Sequence, residues 1–291
     1  MTLPKIAVLG LGNMGAGIAL SILRSGRTVI VWNRSSGKAK PVLDAGAVWA
    51  DSPAEAASQA DAVITMLSDD TASAAVWLGE NGAMPVMKPG TVAIECSTLS
   101  VTHVDRLMTA ASQFHLQYID CPVTGMPDAA AQGQLTLLVG ASPDIFKNCS
   151  PLLRSFSKSI RHFGHAGMGT RYKLMINLMG AVQIAALAEG IAMAEKLGLN
   201  KEVVINSIET SAAASPQVIR YARSMAEKNF ADNPAFTISL RHKDATYALM
   251  LASEINASAR LGAVARDWFA AAKKNGNDKD EATVINQMTG S

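Results

Sequence analysis

The sequence predicts an α/β protein in which a doubly wound parallel sheet is followed by an all-α C-terminal domain. Up to residue 163, short apolar runs rich in β-branched residues alternate with alanine-rich stretches typical of helices. Near-continuously apolar strands separated by helices indicate a parallel sheet covered on both faces. After a glycine-rich segment at residues 164–169 the strand patterns stop, and the remaining chain is typical of packed helices.

The length also favours two domains, because 291 residues is well above the usual size of a single domain. We expect a sheet domain at residues 1–163 and a helical domain at residues 164–291. The predicted strands of the sheet domain are Ile6–Leu9, Thr28–Trp32, Ala62–Met66, Thr91–Ile94, Gln117–Ile119 and Leu135–Val139.

The composition argues against several classes of protein. The chain is 49% hydrophobic with a net charge of +2, and its basic residues do not gather into a run that would bind nucleic acid. The 3 cysteines have neither metal-knuckle spacing nor the density of a disulfide scaffold, and the N-terminus lacks the pattern of a signal peptide. We therefore expect a cytoplasmic protein. The apolar stretch from Leu174 to Ala188 is shorter than the ~20 residues of a membrane span, so it predicts a buried helix.

A glycine-rich turn near the N-terminus predicts a dinucleotide site. It follows the first strand directly, opens an apolar helix, and consists of Gly10, Leu11, Gly12, Asn13, Met14 and Gly15. The first glycine permits the tight turn, the second lets a pyrophosphate approach the backbone, and the third lets the helix pack on the strand. The N–H groups at the helix start can then bind the anion. This context identifies the sheet domain as Rossmann-type.

The end of the second strand favours NADP(H) over NAD. NAD-binding proteins usually carry an acidic residue there for the ribose hydroxyls. Here the strand runs into Asn33, Arg34 and Ser35, and an arginine flanked by an amide and a hydroxyl suits a 2′-phosphate. The alternative is that Arg34 is a solvated loop residue. Two later strand ends should line the rest of the cofactor crevice, and they carry Met66, Leu67, Ser68 and Thr98.

Lys173 and Asn177 stand out near the start of the apolar helix. They are four residues apart and therefore share one helical face. Burying either side chain without partners costs free energy. The spacing alone leaves two interpretations open: a functional pair, or a snorkelling lysine with a capping amide.

The order of four motifs resembles that of the β-hydroxyacid dehydrogenase family, which includes 3-hydroxyisobutyrate dehydrogenase and the glyoxylate and succinic semialdehyde reductases. The motifs are the glycine turn, the segment Asp120–Gly125, the pair Lys173 and Asn177, and the late pair Lys243-Asp244. The resemblance covers nearly the whole chain. It implies a dimer or tetramer, and the activity of an oxidoreductase that interconverts a small β-hydroxyacid and its semialdehyde or oxo acid.

The resemblance also implies roles for individual residues. Lys173 would be the catalytic acid and base, and Asn177 would help to place the substrate. Thr124 with Gly125 would bind the substrate carboxylate, and Lys243 would reach the substrate and cofactor from the C-terminal domain. Protonation of the carbonyl oxygen during hydride transfer suits a lysine held in an apolar helix.

Departures from the family pattern leave the substrate open between a small semialdehyde and a glyoxylate-like acid. Cys121, Thr124, Met126 and Leu178 stand where the family usually has Ala, Ser, Gly and a second Asn. Two other functions stay possible: an imine reductase, against which Lys173 argues, and a non-catalytic NADP-binding module. The sequence predicts no metal site, and Asp244 is interpreted as a residue that favours a helix start.

Overall fold

The computed structural model describes residues 4–274 and 279–289. The chain divides into two compact units, Met1–Lys173 and Leu174–Ser291, which are described separately below. The domain boundary that the sequence suggests, after residue 163, stays a prediction.

Among the described residues, the first unit contains the strands of two sheets, which are β1 (Ile6–Leu9), β2 (Val29–Trp32), β3 (Val48–Trp49), β4 (Ala62–Thr65), β5 (Val92–Glu95), β6 (Gln117–Asp120), β7 (Val123–Thr124), β8 (Leu135–Val139) and β9 (Ser157–His162). Its helices are α1 (Asn13–Arg24), α2 (Lys40–Asp44), α3 (Pro53–Ser58), α4 (Asp70–Leu78), α5 (Val101–Gln113), α6 (Pro127–Ala131) and α7 (Pro143–Leu153). Helix α8 (Met168–Lys196) begins in this unit and continues into the second.

The main sheet has the order β3-β2-β1-β4-β5-β6, and all its neighbouring strands are parallel. This order confirms the predicted doubly wound sheet, whose direction of winding changes between β1 and β4. Five of the predicted strands lie in it. The sixth, β8, instead belongs to a second sheet, in which it pairs antiparallel with β7 and parallel with β9.

Both faces of the main sheet are buried, as the apolar strands predict. Ile6 and Val8 face one hydrophobic core, and Ala7 and Leu9 face the other. All four side chains are fully buried. Because the side chains of a strand alternate between faces, an uninterrupted apolar run is the pattern that such a sheet requires.

The second unit is helical and contains, besides most of α8, the helices α9 (Lys201–Thr210), α10 (Pro216–Glu227), α11 (Ile238–Glu254), α12 (Arg260–Lys274) and α13 (Asn286–Thr289). A short 3₁₀ helix at Glu281–Ile285 precedes α13. In the core of the second unit, Ala181, Ile184 and Ala188 of α8 pack with Phe269 and Ile285. In the described part of the chain, α8 is the one helix with the length and hydropathy of a membrane span. Its central residues lie in this core, which is typical of a core helix in a soluble protein.

Candidate active site

The glycine turn is built for close backbone approach. Gly10 has a φ of +98°, and a side chain on it would meet the carbonyl of Met66 at the end of β4. A side chain on Gly15 would meet the carbonyl of Gly10. Gly12 differs, because a Cβ built there meets no atom within 4 Å. The turn is therefore closely packed at Gly10 and Gly15 and open at Gly12. A pyrophosphate that approaches the backbone needs open space at this position.

Helix α1 presents its N-terminus at this opening. Gly12 is its N-cap residue, and no side chain caps the helix. The first turn contains no acidic residue. Its positive end and its N–H groups are therefore suited to a phosphate. These features fit the dinucleotide that the sequence predicts.

Asn33 joins the glycine turn to the loop after β2. Its Oδ1 accepts a hydrogen bond from the N–H of Leu11 at 2.9 Å, and its Nδ2 donates to the carbonyl of Ser35 at 2.9 Å. Asn33 thus fixes the loop with its own side chain. The next residues, Arg34 and Ser35, are exposed. The loop is held beside the turn while the guanidinium stays accessible.

Ser97 joins the ends of β4 and β5, and the buried Glu95 binds Ser97 in turn. Ser97 Oγ accepts a hydrogen bond from the N–H of Leu67 at 2.7 Å, and Glu95 Oε1 accepts one from the N–H of Ser97 at 2.9 Å. Glu95 is 1% exposed, and its other oxygen accepts bonds from Ser73 and Trp77. Among the predicted crevice residues, Met66, Leu67 and Thr98 are half-buried and Ser68 is exposed.

Thr124 and Gly125 form an exposed strand end. Thr124 pairs with Thr136 of β8, so its backbone is fixed by the second sheet. Gly125 has a φ of +142°, which favours glycine, and a side chain there would press on Leu135. The exposed Met126 follows.

Asp120, at the end of β6, binds the first turn of α8. It is fully buried, and its carboxylate oxygens accept hydrogen bonds from the N–H groups of Gly167 at 2.5 Å and Thr170 at 2.6 Å. Burial raises the pKa of Asp120 to about 6, although these two hydrogen bonds act in the opposite direction. Lys173 follows in the same helix and is half-buried.

The second unit holds Asn177 and Lys243, which meet through Asp244. Asn177 Nδ2 donates to Asp244 Oδ2 at 2.6 Å, and Lys243 Nζ lies 2.9 Å from Asp244 Oδ1. Asp244 is 1% exposed and lies inside α11, whose N-cap residue is Thr237. The interpretation of Asp244 as a helix-start residue is therefore wrong. Sequence reasoning missed its role, although its position beside Lys243 in the family motif was a usable signal.

A buried ion pair between Arg241 and Glu281 contacts the backbone of Asn177. Arg241 Nε lies 2.5 Å from Glu281 Oε2, and Arg241 Nη1 donates to the backbone carbonyl of Asn177 at 3.0 Å. Tyr221 donates its hydroxyl proton to the other oxygen of Glu281 at 2.5 Å. Arg241 and Glu281 are 6% and 1% exposed. Two further residues that sequence reasoning missed therefore hold the Asn177 segment in place.

Two models of known protein families together match most of this chain. Residues 5–164 match the family model described as the NAD binding domain of 6-phosphogluconate dehydrogenase. Residues 167–288 match the model described as NAD-binding of NADP-dependent 3-hydroxyisobutyrate dehydrogenase.

Individual relatives match nearly the whole chain. An uncharacterized oxidoreductase of Bacillus subtilis, YfjR, is 34% identical over 97% of this chain and 98% of its own. Glyoxylate/succinic semialdehyde reductase 2 of Arabidopsis thaliana is 29% identical, over 98% of this chain and 79% of its own. The structure of 3-hydroxyisobutyrate dehydrogenase from Mycobacterium tuberculosis with L-serine is 30% identical, covers 99% of both chains and has a TM-score of 0.88. The chain belongs to the 3-hydroxyisobutyrate dehydrogenase family of NAD(P)-binding oxidoreductases.

Proposed function

We propose that this protein reduces a small semialdehyde or glyoxylate-like oxo acid to its hydroxyacid with NADPH, and catalyses the reverse reaction with NADP⁺. The observation that carries the proposal is the combination of an open glycine turn with an exposed arginine, Arg34, on a loop that Asn33 fastens to that turn. An acidic residue, which would repel a 2′-phosphate, is absent from the end of β2 and from Asn33, Arg34 and Ser35.

The coenzyme, when bound, supplies the hydride. The pyrophosphate would lie at Gly12 and the N-terminus of α1, and Arg34 with Ser35 would bind the 2′-phosphate through charge-assisted hydrogen bonds. The ends of β4 and β5, with Met66, Leu67, Ser68 and Thr98, would line the remaining crevice.

Lys173 would act on the carbonyl oxygen. Negative charge develops on that oxygen as the hydride arrives, and an ammonium group within hydrogen-bond reach stabilises it and donates the proton. Lys173 would then regain a proton from solvent. In the oxidative direction, neutral Lys173 would accept the proton of the hydroxyl group.

The exposed backbone at Thr124 and Gly125 would bind the substrate carboxylate. Gly125 is exposed and its N–H would donate to the carboxylate, and the hydroxyl of the exposed Thr124 can donate a further hydrogen bond. Met126 beside them is 39% exposed and would restrict the substrate to small acids.

Asn177 would orient the reacting groups through its carbonyl oxygen. A carboxylate only accepts hydrogen bonds, so the amide NH₂ of Asn177 must face Asp244. Its Oδ1 is thereby directed to accept from a donor such as a substrate hydroxyl. Lys243, held by Asp244, would bind the acidic part of substrate or cofactor.

We also propose a cytoplasmic homodimer or homotetramer. The second unit exposes several large apolar side chains, Met175, Met179 and Leu261 among them, and Leu261 is 74% exposed. Contiguous exposed apolar residues favour a contact between subunits. The three cysteines are unpaired and buried, consistent with a reducing compartment. Light scattering of the purified protein tests the assembly.

The experiment that tests the activity is a screen of NADPH oxidation. Glyoxylate, succinic semialdehyde, methylmalonate semialdehyde and tartronate semialdehyde are each compared with a cyclic imine, using NADPH and NADH in parallel. We expect turnover of at least one acid aldehyde or oxo acid with a preference for NADPH. Turnover of the imine alone would identify an imine reductase, and NADPH binding without any turnover would favour a non-catalytic module.

A further inference from the structure

Helix α8 begins without a capping side chain of its own. The carbonyl of Gly167 accepts the first hydrogen bond of the helix, from the N–H of Arg171 at 3.2 Å, which makes Gly167 the N-cap residue. Gly167 has a φ of +92°. A glycine cannot supply the side-chain oxygen that usually binds the N–H of the third helical residue.

Asp120, at the end of β6, supplies this missing cap. Its two oxygens accept from the N–H of Gly167 and the N–H of Thr170, the N-cap residue and the third residue of the helix. These are the two N–H groups that a capping box satisfies with two local side chains. Here one carboxylate, 47 residues before Gly167, satisfies both.

Glycines let the helix approach closely enough for these bonds. A side chain on Gly140, at the end of β8, would clash with Asp120 Oδ1. A side chain on Gly169 would clash with the carbonyl of Leu138. Asp120 and Gly140 also pair through their backbones, with the N–H of Gly140 donating to Asp120 at 2.8 Å. The start of α8 is therefore fastened directly to the ends of β6 and β8.

Burying the carboxylate of Asp120 costs free energy, which indicates that its contact with α8 has a function beyond capping. A fully buried carboxylate loses its hydration, and two short hydrogen bonds from a helix N-terminus offset only part of that loss, since burial still raises the pKa of Asp120. A serine or threonine at the N-cap would hold the helix start without burying a charge. Asp120 adds what such a local cap lacks, a fixed position of the helix relative to the sheet.

Lys173 lies just beyond this contact. It follows Thr170 by three residues, which is less than one helical turn. We propose that Asp120 is a positioning residue, which fixes the first turn of α8 against the ends of β6 and β8 and thereby holds the ammonium of Lys173 where the reaction needs it. This inference rests on the function proposed above for Lys173.

The test is the variant Asp120→Asn, measured with the substrate that the screen identifies. The amide keeps one accepting oxygen and turns its NH₂ towards an N–H donor, so one of the two bonds is lost. We expect kcat per NADPH-binding site to fall about tenfold or more, because small displacements of a reacting group reduce rates strongly. The Kd for NADPH, measured by its fluorescence, should stay within about twofold, since cofactor binding depends on other residues.

The matched control is Ser52→Ala, which removes the cap of α3 by deleting the oxygen that accepts from the N–H of Glu55 at 3.0 Å. It should lower Tm without changing kcat, because α3 does not carry Lys173. A kcat of Asp120→Asn within twofold of the wild type, per NADPH-binding site, would overturn the inference. A loss of kcat in both variants would also overturn it, since the effect would then follow helix capping in general.

Two further measurements separate the possible failures. If Lys173→Ala keeps full activity, the proposed function fails, whatever Asp120→Asn does; if Lys173→Ala is inactive and Asp120→Asn is normal, only the positioning role fails. Should Asp120→Asn not fold, hydrogen exchange of the wild type decides. The N–H groups of Gly167 and Thr170 should then be strongly protected, and exchange as fast as that of exposed loops would contradict the proposed contact.

Discussion

Asn177 and Asp244 form a buried hydrogen bond, with Asn177 Nδ2 2.6 Å from Asp244 Oδ2. The same carboxylate lies 2.9 Å from Lys243 Nζ through its other oxygen. One acidic side chain in α11 therefore orients both residues that family resemblance assigns to the substrate site from this unit.

Replacing Asp244 should impair catalysis more than it impairs cofactor binding. In Asp244→Ala, the Asn177 amide loses its acceptor and Lys243 loses its counter-charge, so the contacts that orient both side chains are weakened. We expect kcat/KM for the substrate to fall about ten- to a hundredfold, because the displacement of a reacting group reduces the rate by about this factor. Steady-state kinetics with varied substrate and varied NADPH check this. Lys228→Ala, which removes an ion pair with Glu195 in the same unit, is the control and should leave kcat/KM unchanged.

The ion pair of Arg241 and Glu281 should matter for stability. In Glu281→Gln the guanidinium stays buried without its counter-ion, so we expect the free energy of unfolding to fall by about 3 kcal/mol or more. The double variant Arg241→Met/Glu281→Leu removes both charges and should recover a large part of that loss. Urea denaturation of the two variants measures both effects. A loss below about 1 kcal/mol in the single variant, the range of exposed pairs, would show that this pair does not contribute as a buried one.

Arg34 should discriminate between the two coenzymes. In Arg34→Ala the 2′-phosphate of NADPH loses its charged partner. NADH has no 2′-phosphate, so its binding does not depend on this contact. We expect KM for NADPH to rise about tenfold or more, since a charge-assisted hydrogen bond contributes about 1.5–3 kcal/mol, with KM for NADH nearly unchanged. Lys40→Ala, which removes an exposed ion pair in the same unit, serves as control. An equal loss for both coenzymes would show that Arg34 does not bind the 2′-phosphate.

The titration of Asp120 should appear in the stability of the fold. Its pKa is raised from 3.8 to about 6, so the folded protein binds this proton more tightly than the unfolded chain does. Stability from this group is therefore fully present below pH 3.8 and is lost as the pH rises through about 6. On acidification from pH 7 to pH 4, the wild type should gain about 2 kcal/mol relative to Asp120→Asn. Urea denaturation of both proteins across this range measures the difference, and a difference that does not change with pH would contradict the raised pKa.

Local patterns were sufficient to predict most of the first unit. Strands such as β1 are uninterrupted apolar runs. The glycine turn is a contiguous motif that can be recognised from its own residues and the strand and helix beside it. β3 and β7 have two residues each, too few to show a period. β9 is polar and only partly buried, so it lacks the apolar pattern of the other strands.

The pairs that organise the candidate site could not be predicted, because they join residues far apart in the chain. Asp120 and Gly167 are 47 residues apart, and Asn177 and Asp244 are 67 apart. A sequence shows that a carboxylate is present but does not show which donor the fold brings to it. The apolar stretch Leu174–Ala188 likewise predicted a helix, and α8 extends beyond it at both ends, from Met168 to Lys196, with Asp120 binding N–H groups at its start.

Single-turnover oxidation of NADPH by Lys173→Ala tests whether Lys173 is the general acid and base. The substrate is saturating, and the Kd for NADPH is measured on the same sample to confirm that the cofactor site is intact. We expect a rate reduced at least about a hundredfold with NADPH binding preserved, because the variant lacks the proton donor. A rate within a few-fold of the wild type would contradict it.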